Sequence, residues 1–330
     1  MIITRTPFRI SFVGGGSDME TFYSRHRGAV LSTSIDKYMY ISSHKFFFPD
    51  KIRIKYSQTE TVSKVDELKH PILRETLKKL NIPGGTEISS IADIPAGTGM
   101  GSSSSFTVGL LHNLYAIKRQ YVTHEQLAQE ACEIEIDLLK EPIGKQDQYA
   151  AAFGGLNVIS FNPDGSVVVD PLYIKDEIYE ALQENLLMFY IGNQRKASDI
   201  LSEQKKNASR DDKFNVLKAM VSLVFDLKES LFKENLNDFG KILHENWILK
   251  QKLAAQISNS EIEDIYQTGL DNGATGGKLL GAGGGGFMLF YCEKSRQKKL
   301  KESLKHCREF DFAFERDGSK LIYFADETSM

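Results

Sequence analysis

The chain has 330 residues, room for one large or two ordinary domains at roughly 150 residues each. Hydrophobic residues make up 41% and charged residues 26%, a balance that excludes a disordered or fibrous chain. Lys plus Arg number 41 against 44 for Asp plus Glu, so the net charge of -3 supplies no bulk field for nucleic acid or anionic lipid, and partners must be recognised locally.

In chain order, β-branched and aromatic content predicts strands at 8–13, 38–43, 52–56, 87–91, 167–169, 186–191, 286–291 and 320–324. Interleaved with them, apolar periodicity predicts helices at 103–119, 125–139, 197–206, one long stretch from about 213 to 253, then 261–272 and 296–305. Thr123 followed by Gln126 is a capping-box pattern that opens the second of these, and Pro142 with Gly144 closes it. Asn162-Pro163-Asp164-Gly165 is a turn. No repeat recurs, so solenoid and propeller readings fall away. The reading is two α+β domains, 1–185 and 186–330.

Cys132, Cys292 and Cys307 are odd in number and form no C-x-x-C pair, which argues against a disulfide framework or a thiolate zinc site. Arg5 and Arg9 interrupt the first apolar stretch, and no uncharged run approaches the roughly 20 residues that span a bilayer. A cytoplasmic protein without a membrane segment is expected.

Three glycine clusters stand out: Gly14-Gly15-Gly16, Gly97-Thr98-Gly99-Met100-Gly101, and the run from Gly281 to Gly286. The middle one follows a strand and runs through Ser102, Ser103, Ser104 and Ser105 into an apolar helix. There the glycines let backbone approach an anion, and the first-turn N–H groups and helix dipole attract it. One cap needs one serine, so four suggest more than capping. No G-x-x-x-x-G-K-[ST] exists, which excludes a Walker-type loop. Gly281-x-Gly283-x-x-Gly286 satisfies the dinucleotide pattern, but a strand follows where a helix is required. That places it in a loop packing backbone on backbone, or on the phosphate cradle.

On the helix at 125–139, Leu127, Ala131, Ile134 and Leu138 share one face, with Glu130, Glu133 and Asp137 opposite. Glu135 falls within the apolar arc. A carboxylate there is paired, hydrogen-bonded or metal-bound, or else sits at an edge and escapes to water. Asp147, in Gly144-Lys145-Gln146-Asp147-Gln148, either caps the following helix or offers a carboxylate on a rigid corner.

These segments together resemble the GHMP kinase superfamily. Residues 6–18 look like its first motif, 95–105 its second and 278–287 its third, and Gly144-Lys145-Gln146-Asp147-Gln148 resembles the sugar-kinase segment with the catalytic aspartate. The resemblance implies an α+β fold in which an N-terminal domain with a left-handed β-α-β unit precedes a ferredoxin-like C-terminal domain, the site lying between them. It implies Asp147 as catalytic aspartate with Arg9 beside it, ATP held by Pro95, Gly97, Thr98, Gly99, Met100, Gly101, Ser102, Ser103 and Ser104, and Mg2+ on Ser103 and Glu135. Within the superfamily the sequence is similar to D-glycero-D-manno-heptose 7-phosphate kinases and fucokinases; galactokinases carry Glu-His where Gly15-Gly16 stands here. A sugar-phosphate substrate is therefore expected against Gly14, Gly15, Gly16, Asp18 and Gly284, its remote phosphate held by Arg195 with Lys196. A fucokinase-like monosaccharide kinase and a non-catalytic ATP and sugar sensor are the alternatives. Oligomeric state is not legible.

Overall fold

A computed structural model describes residues 1–192, 197–208 and 210–325. Two sheets organise the chain. The first is built on β1 (Ile2–Val13) and an 18-residue β2 (Gly28–Lys45), linked through α1 (Glu20–Tyr23). Beyond β2 come β3 (Ile52–Lys55), β4 (Thr59–Val62), α2 (Pro71–Lys79) and β5 (Thr86–Ala92). β2 pairs antiparallel with β1 along its length, while its far edge takes β5 over Met39 to Lys45 and β6 (Leu156–Phe161) over Gly28 to Thr33. β3 runs parallel to β5, and β7 (Val167–Pro171) extends β6.

Against this sheet lie α3 (Ser102–Ile117), α4 (His124–Cys132) and α5 (Gln146–Phe153). α3 is apolar nearly all round, with Val108, Leu110, Leu111 and Leu114 fully buried, because sheet and helices enclose it on both sides. Thr123 caps α4, its side chain accepting from Gln126 N at 3.1 Å; the Gln126 side chain turns instead to Tyr115 and Glu130. From Glu133 to Leu138 the helix widens into a π turn, with Leu139 N bonded to Ile134 O. The wider turn rotates Leu138 out of the apolar face expected for it, leaving it 49% exposed, while Glu135 stays fully buried.

After α6 (Asp176–Glu184), the second sheet has the order β11 (Arg308–Glu309), β8 (Leu186–Gly192), β10 (Gly286–Tyr291), β9 (Gly276–Leu279), every pair antiparallel. With it go α7 (Ala197–Asn207), α8 (Asp211–Phe232), α9 (Asn237–Gln251), α10 (Ser260–Asp271) and α11 (Gln297–Ser303). The single helix expected over 213–253 is thus two. Glu234 adopts φ +59°, and Ser230 Oγ donates to Asn235 O at 2.6 Å, a local bond that ends the first helix. The two-domain expectation with a second unit from 186 to 330 meets a further difference. β12 (Phe314–Glu315) and β13 (Lys320–Phe324) return to pair with β2 and β1, so the final strands complete the first sheet.

One continuous core joins both halves. Phe12 of β1 meets Phe239 of α9 edge to face at 5.2 Å, and Lys278 of β9 reaches back to donate to Ser11 O and Phe12 O at 2.7 and 2.9 Å. Those contacts fix the second sheet beside the end of β1, where a cleft forms. Among the described residues no helix is long and apolar enough to cross a membrane.

Candidate active site

Strand alternation sends Phe8, Ile10 and Phe12 into the core and leaves Arg9 and Ser11 together on the opposite face. Arg9 is only 4% exposed. Its Nε and Nη2 donate to Oδ1 and Oδ2 of Asp147, both at 2.8 Å, and Nη1 donates to Gly99 O at 2.6 Å. This fork-on-fork pairing orients the carboxylate. Asp147 itself lies in the first turn of α5, where the helix dipole favours an anion.

Directly beside this pair, Gly97, Gly99 and Gly101 take φ of +81°, +85° and +75°, winding the loop into the start of α3, and a Cβ on Gly101 would lie 3.3 Å from Asp147 Oδ2. Gly101 is the N-cap residue and no side chain caps the helix. The serines expected to do more than cap are engaged elsewhere: Ser105 donates to Pro7 O at 2.8 Å, while Ser103 and Ser104 donate to Glu135 at 2.7 and 2.8 Å. The uncapped first turn, Ser102 to Ser104, thus borders the cavity, and free N–H groups there with the dipole behind them are suited to phosphate oxygens.

Glu135 also accepts from Gln148 Nε2 at 2.7 Å. Burial pushes its carboxyl above the usual range, and the three hydrogen bonds oppose that. Among the described residues no lysine or arginine pairs with it. Asp18 is likewise buried and raised, first by desolvation and then by Asp147; its oxygens accept from Gly16 N at 3.0 Å and Gln146 N at 3.2 Å.

The second half of the chain closes the cleft. Arg9, Ser11, Asp18, Ser103, Gln146 and Asp147 share a cavity of about 260 Å³ with Gln204, Lys250, Lys278, Gly281 and Ala282. Lys250 donates to Gly281 O, and burial, reinforced by Arg9, lowers its ammonium to about 8. Lys278 is driven well below its ordinary value by burial, Lys250 and Arg9. Neither lysine was singled out as a site residue from the sequence. A signal existed for Lys250: it continues the buried stripe of Leu243 and Trp247 at helical spacing, the same anomaly that exposed Glu135.

The other expected residues divide into four groups. Gly15, Gly16, Gly97, Gly99, Gly101, Ser102, Ser103 and Ser104 line the cavity. Pro95, Thr98 and Met100 hold the loop from behind, Thr98 Oγ1 donating to Pro95 O at 3.0 Å and Met100 O accepting from Arg9 N at 3.2 Å. Gly14 and Gly284 do not face the cavity, contrary to expectation. A Cβ on Gly14 would stand 2.0 Å from Ala29 O, so that glycine permits close packing, and Gly284 N is committed to Ile257 O at 3.0 Å. Arg195 and Lys196 lie outside the described residues.

Comparison with known proteins gives this geometry a family. Residues 67–155 match the GHMP kinases N terminal domain and residues 227–308 the GHMP kinases C terminal domain. D-glycero-alpha-D-manno-heptose 7-phosphate kinase of Campylobacter jejuni is 31% identical over 97% of this chain and 98% of its own length. Galactokinase of Pyrococcus furiosus is 23% identical, covering 92% of each chain. Among solved structures, a D-glycero-D-manno-heptose 1-phosphate kinase from Bacteroides thetaiotaomicron superposes with a TM-score of 0.80 at 23% identity, over 99% of this chain and 100% of that one. On the two domain matches and a relative 31% identical over nearly its whole length, the chain belongs to the GHMP kinase family and is a phosphotransferase.

Proposed function

We propose that this kinase transfers the γ-phosphoryl group of ATP to the anomeric hydroxyl of D-glycero-D-manno-heptose 7-phosphate, giving the 1,7-bisphosphate. The observation that carries the reading is Asp147, held by Arg9 at the mouth of the cleft facing the start of α3. The carboxylate accepts or orients the proton of the attacking hydroxyl, and Arg9 offsets charge on Asp147 and on the group in transit. The triphosphate rests on the backbone of Gly97, Gly99, Gly101 and Ser102, with Pro95, Thr98, Met100, Ser103 and Ser104 shaping the loop. Catalysis then rests mainly on positioning and charge neutralisation.

Glu135 with the Ser103 hydroxyl forms an all-oxygen donor set of the kind Mg2+ takes, and a fully buried carboxylate bonded only to neutral donors is suited to a cation. When bound, the ion would neutralise β- and γ-phosphate oxygens. On the acceptor side, Gly15 and Gly16 leave room for a sugar bulkier than galactose, and Asp18 fixes the loop between them and Gln146. The relative at 31% identity, named for heptose 7-phosphate, favours that acceptor. Arg195 with Lys196 is proposed to hold the remote phosphate.

An acceptor panel tests the assignment: the heptose 7-phosphate, the free heptose, L-fucose and D-galactose, each with ATP and Mg2+, followed by ADP release. The expected result is turnover of the heptose 7-phosphate at a kcat/KM at least about 10²-fold above the others. Preference for fucose or galactose would overturn it.

A further inference from the structure

We infer that Ser11 and Gln146 together read a ring hydroxyl of the acceptor close to its reacting carbon. The inference rests on the sugar-phosphate kinase reading above and adds two residues to its specificity machinery. Ser11 lies two residues beyond Arg9 on the same face of β1, in a stretch where pairing with β2 is regular (Arg9 opposite Ser34, Ser11 opposite Ser32). That spacing sets it about 6.7 Å along the strand from Arg9. Gln146 directly precedes Asp147 in the first turn of α5. Both residues line the cavity.

Their polar atoms lack protein partners. Ser11 Oγ and Gln146 Oε1 are buried and neither forms a hydrogen bond. Ser11 as a whole is only 7% exposed. Buried polar atoms in native proteins are almost always bonded, so two orphans on one cavity wall point to a ligand that completes them. The two side chains border one space. A Cβ added to Gly15 would lie 4.0 Å from Ser11 Oγ and 3.9 Å from Nε2 of the same Gln146 amide that carries the orphan Oε1. The missing side chain at residue 15 is what keeps that space open.

The chemistry of the vacant positions selects the ligand group. Gln146 Oε1 only accepts, so the partner must donate; Ser11 Oγ donates or accepts. A carbon-bound hydroxyl serves both at once, giving its proton to Gln146 and receiving one from Ser11. A carbonyl or ether oxygen cannot donate, and a deoxy carbon serves neither. Neighbouring Asp18 already holds two backbone amides, Gly16 N and Gln146 N, which leaves Ser11 and Gln146 as the uncommitted polar groups of this wall. Because one strand step separates Ser11 from Arg9, the hydroxyl read belongs to the ring near the anomeric carbon and not to the distant end that carries the phosphate.

The test measures discrimination between hydroxylated and deoxy acceptors. Wild type, Ser11→Ala and Gln146→Leu are assayed with D-glycero-D-manno-heptose 7-phosphate and with its 2-deoxy and 3-deoxy analogues, with ATP binding and thermal melting as checks of folding. Wild type is expected to lose at least about 10²-fold in kcat/KM on one of the two analogues, since its polar pair is then left unpaired. In each variant the penalty should shrink below about 10-fold, while ATP affinity is unchanged. Full discrimination retained in both variants overturns the inference, as does an equal loss on parent and analogue, the mark of a merely structural role. Calorimetric binding of the three acceptors separates the two levels of the argument. Hydroxyl-dependent binding that disappears in Ser11→Ala, without turnover in wild type, sinks the kinase substrate and keeps the inference; no binding of any acceptor by wild type overturns both.

Discussion

A Cβ placed on Gly281 would stand 2.2 Å from the Cα of Gly99, and one placed on Gly99 would stand 2.6 Å from Leu280 O. The two glycine clusters, one in each half of the chain, therefore touch backbone to backbone. The G-x-G-x-x-G match of the later cluster has this use: it braces the loop that opens α3, and Gly286 repeats the contact against Thr98 O.

Gly99→Ala is accordingly expected to weaken ATP binding by at least about 10-fold and to lower stability by roughly 2 to 4 kcal/mol, combining overpacking with a left-handed φ. Gly97→Ala, with nothing within 4 Å of the new Cβ but φ +81°, should cost only about 1 kcal/mol. Denaturant unfolding and nucleotide calorimetry check both. Equal effects of the two substitutions would contradict the bracing role.

Asp147→Asn keeps size and part of the hydrogen bonding to Arg9 but removes the proton acceptor. It should lower kcat by about 10² to 10⁴ while nucleotide affinity barely moves. Single-turnover kinetics with ATP binding measured in parallel decides; full activity in the variant would exclude Asp147 as base.

Glu135 has a raised folded-state pKa because it is buried. Its contribution to stability is therefore complete below its unfolded value of about 4.5 and is lost as pH rises through the higher folded value. Glu135→Gln should melt above wild type at pH 7 in the absence of nucleotide, with the gap narrowing towards pH 4. Added Mg2+ with nucleotide should raise the melting temperature of wild type and leave that of the variant nearly unchanged. A variant less stable at every pH would show that the carboxylate is satisfied without a cation.

Lys250 titrates at about 8 in the folded chain against 10.5 when unfolded. Between those values the unfolded chain binds more protons, so stability should rise with pH across that window and the charged form is penalised below it, by on the order of 3 kcal/mol. Lys250→Met should then be the more stable protein at pH 7 and show a flatter profile up to pH 10.5. Its kcat/KM should fall by about 10²-fold, since an ammonium facing Asp147, Asp18 and the incoming phosphates is lost. Urea titrations at several pH values and steady-state kinetics check the two halves separately.

Much of this architecture was readable in the residues. The capped start at Thr123, the strand after the last glycine cluster and the helix opening at Ser102 are local events, decided by turn chemistry and apolar spacing within a few residues. Glu135 could be flagged because a charge inside an apolar arc needs a partner unless it escapes to water at an edge. The break at Glu234 to Asn235 is not legible in apolar spacing, because flanking helix-forming residues outweigh it until a side chain bonds the backbone. The outward swing of Leu138 required the π turn, which shifts the helical register that periodicity assumes.

By itself, then, the sequence determined which short segments would present glycine-rich backbone, an acid within an apolar helical arc and an aspartate at a helix start, since each follows from chemistry between near neighbours; the burial of that acid was left to the structure. The tertiary structure decided that Arg9, placed beside Asp147 only by the family resemblance, grips both its oxygens across 138 residues, that Lys250 and Lys278 enter from the other half, and that Gly14 and Gly284 serve packing. Periodicity identifies the face a residue occupies and carries no information about what lies opposite; that partner exists only once long-range strand pairing has brought the two sheets together.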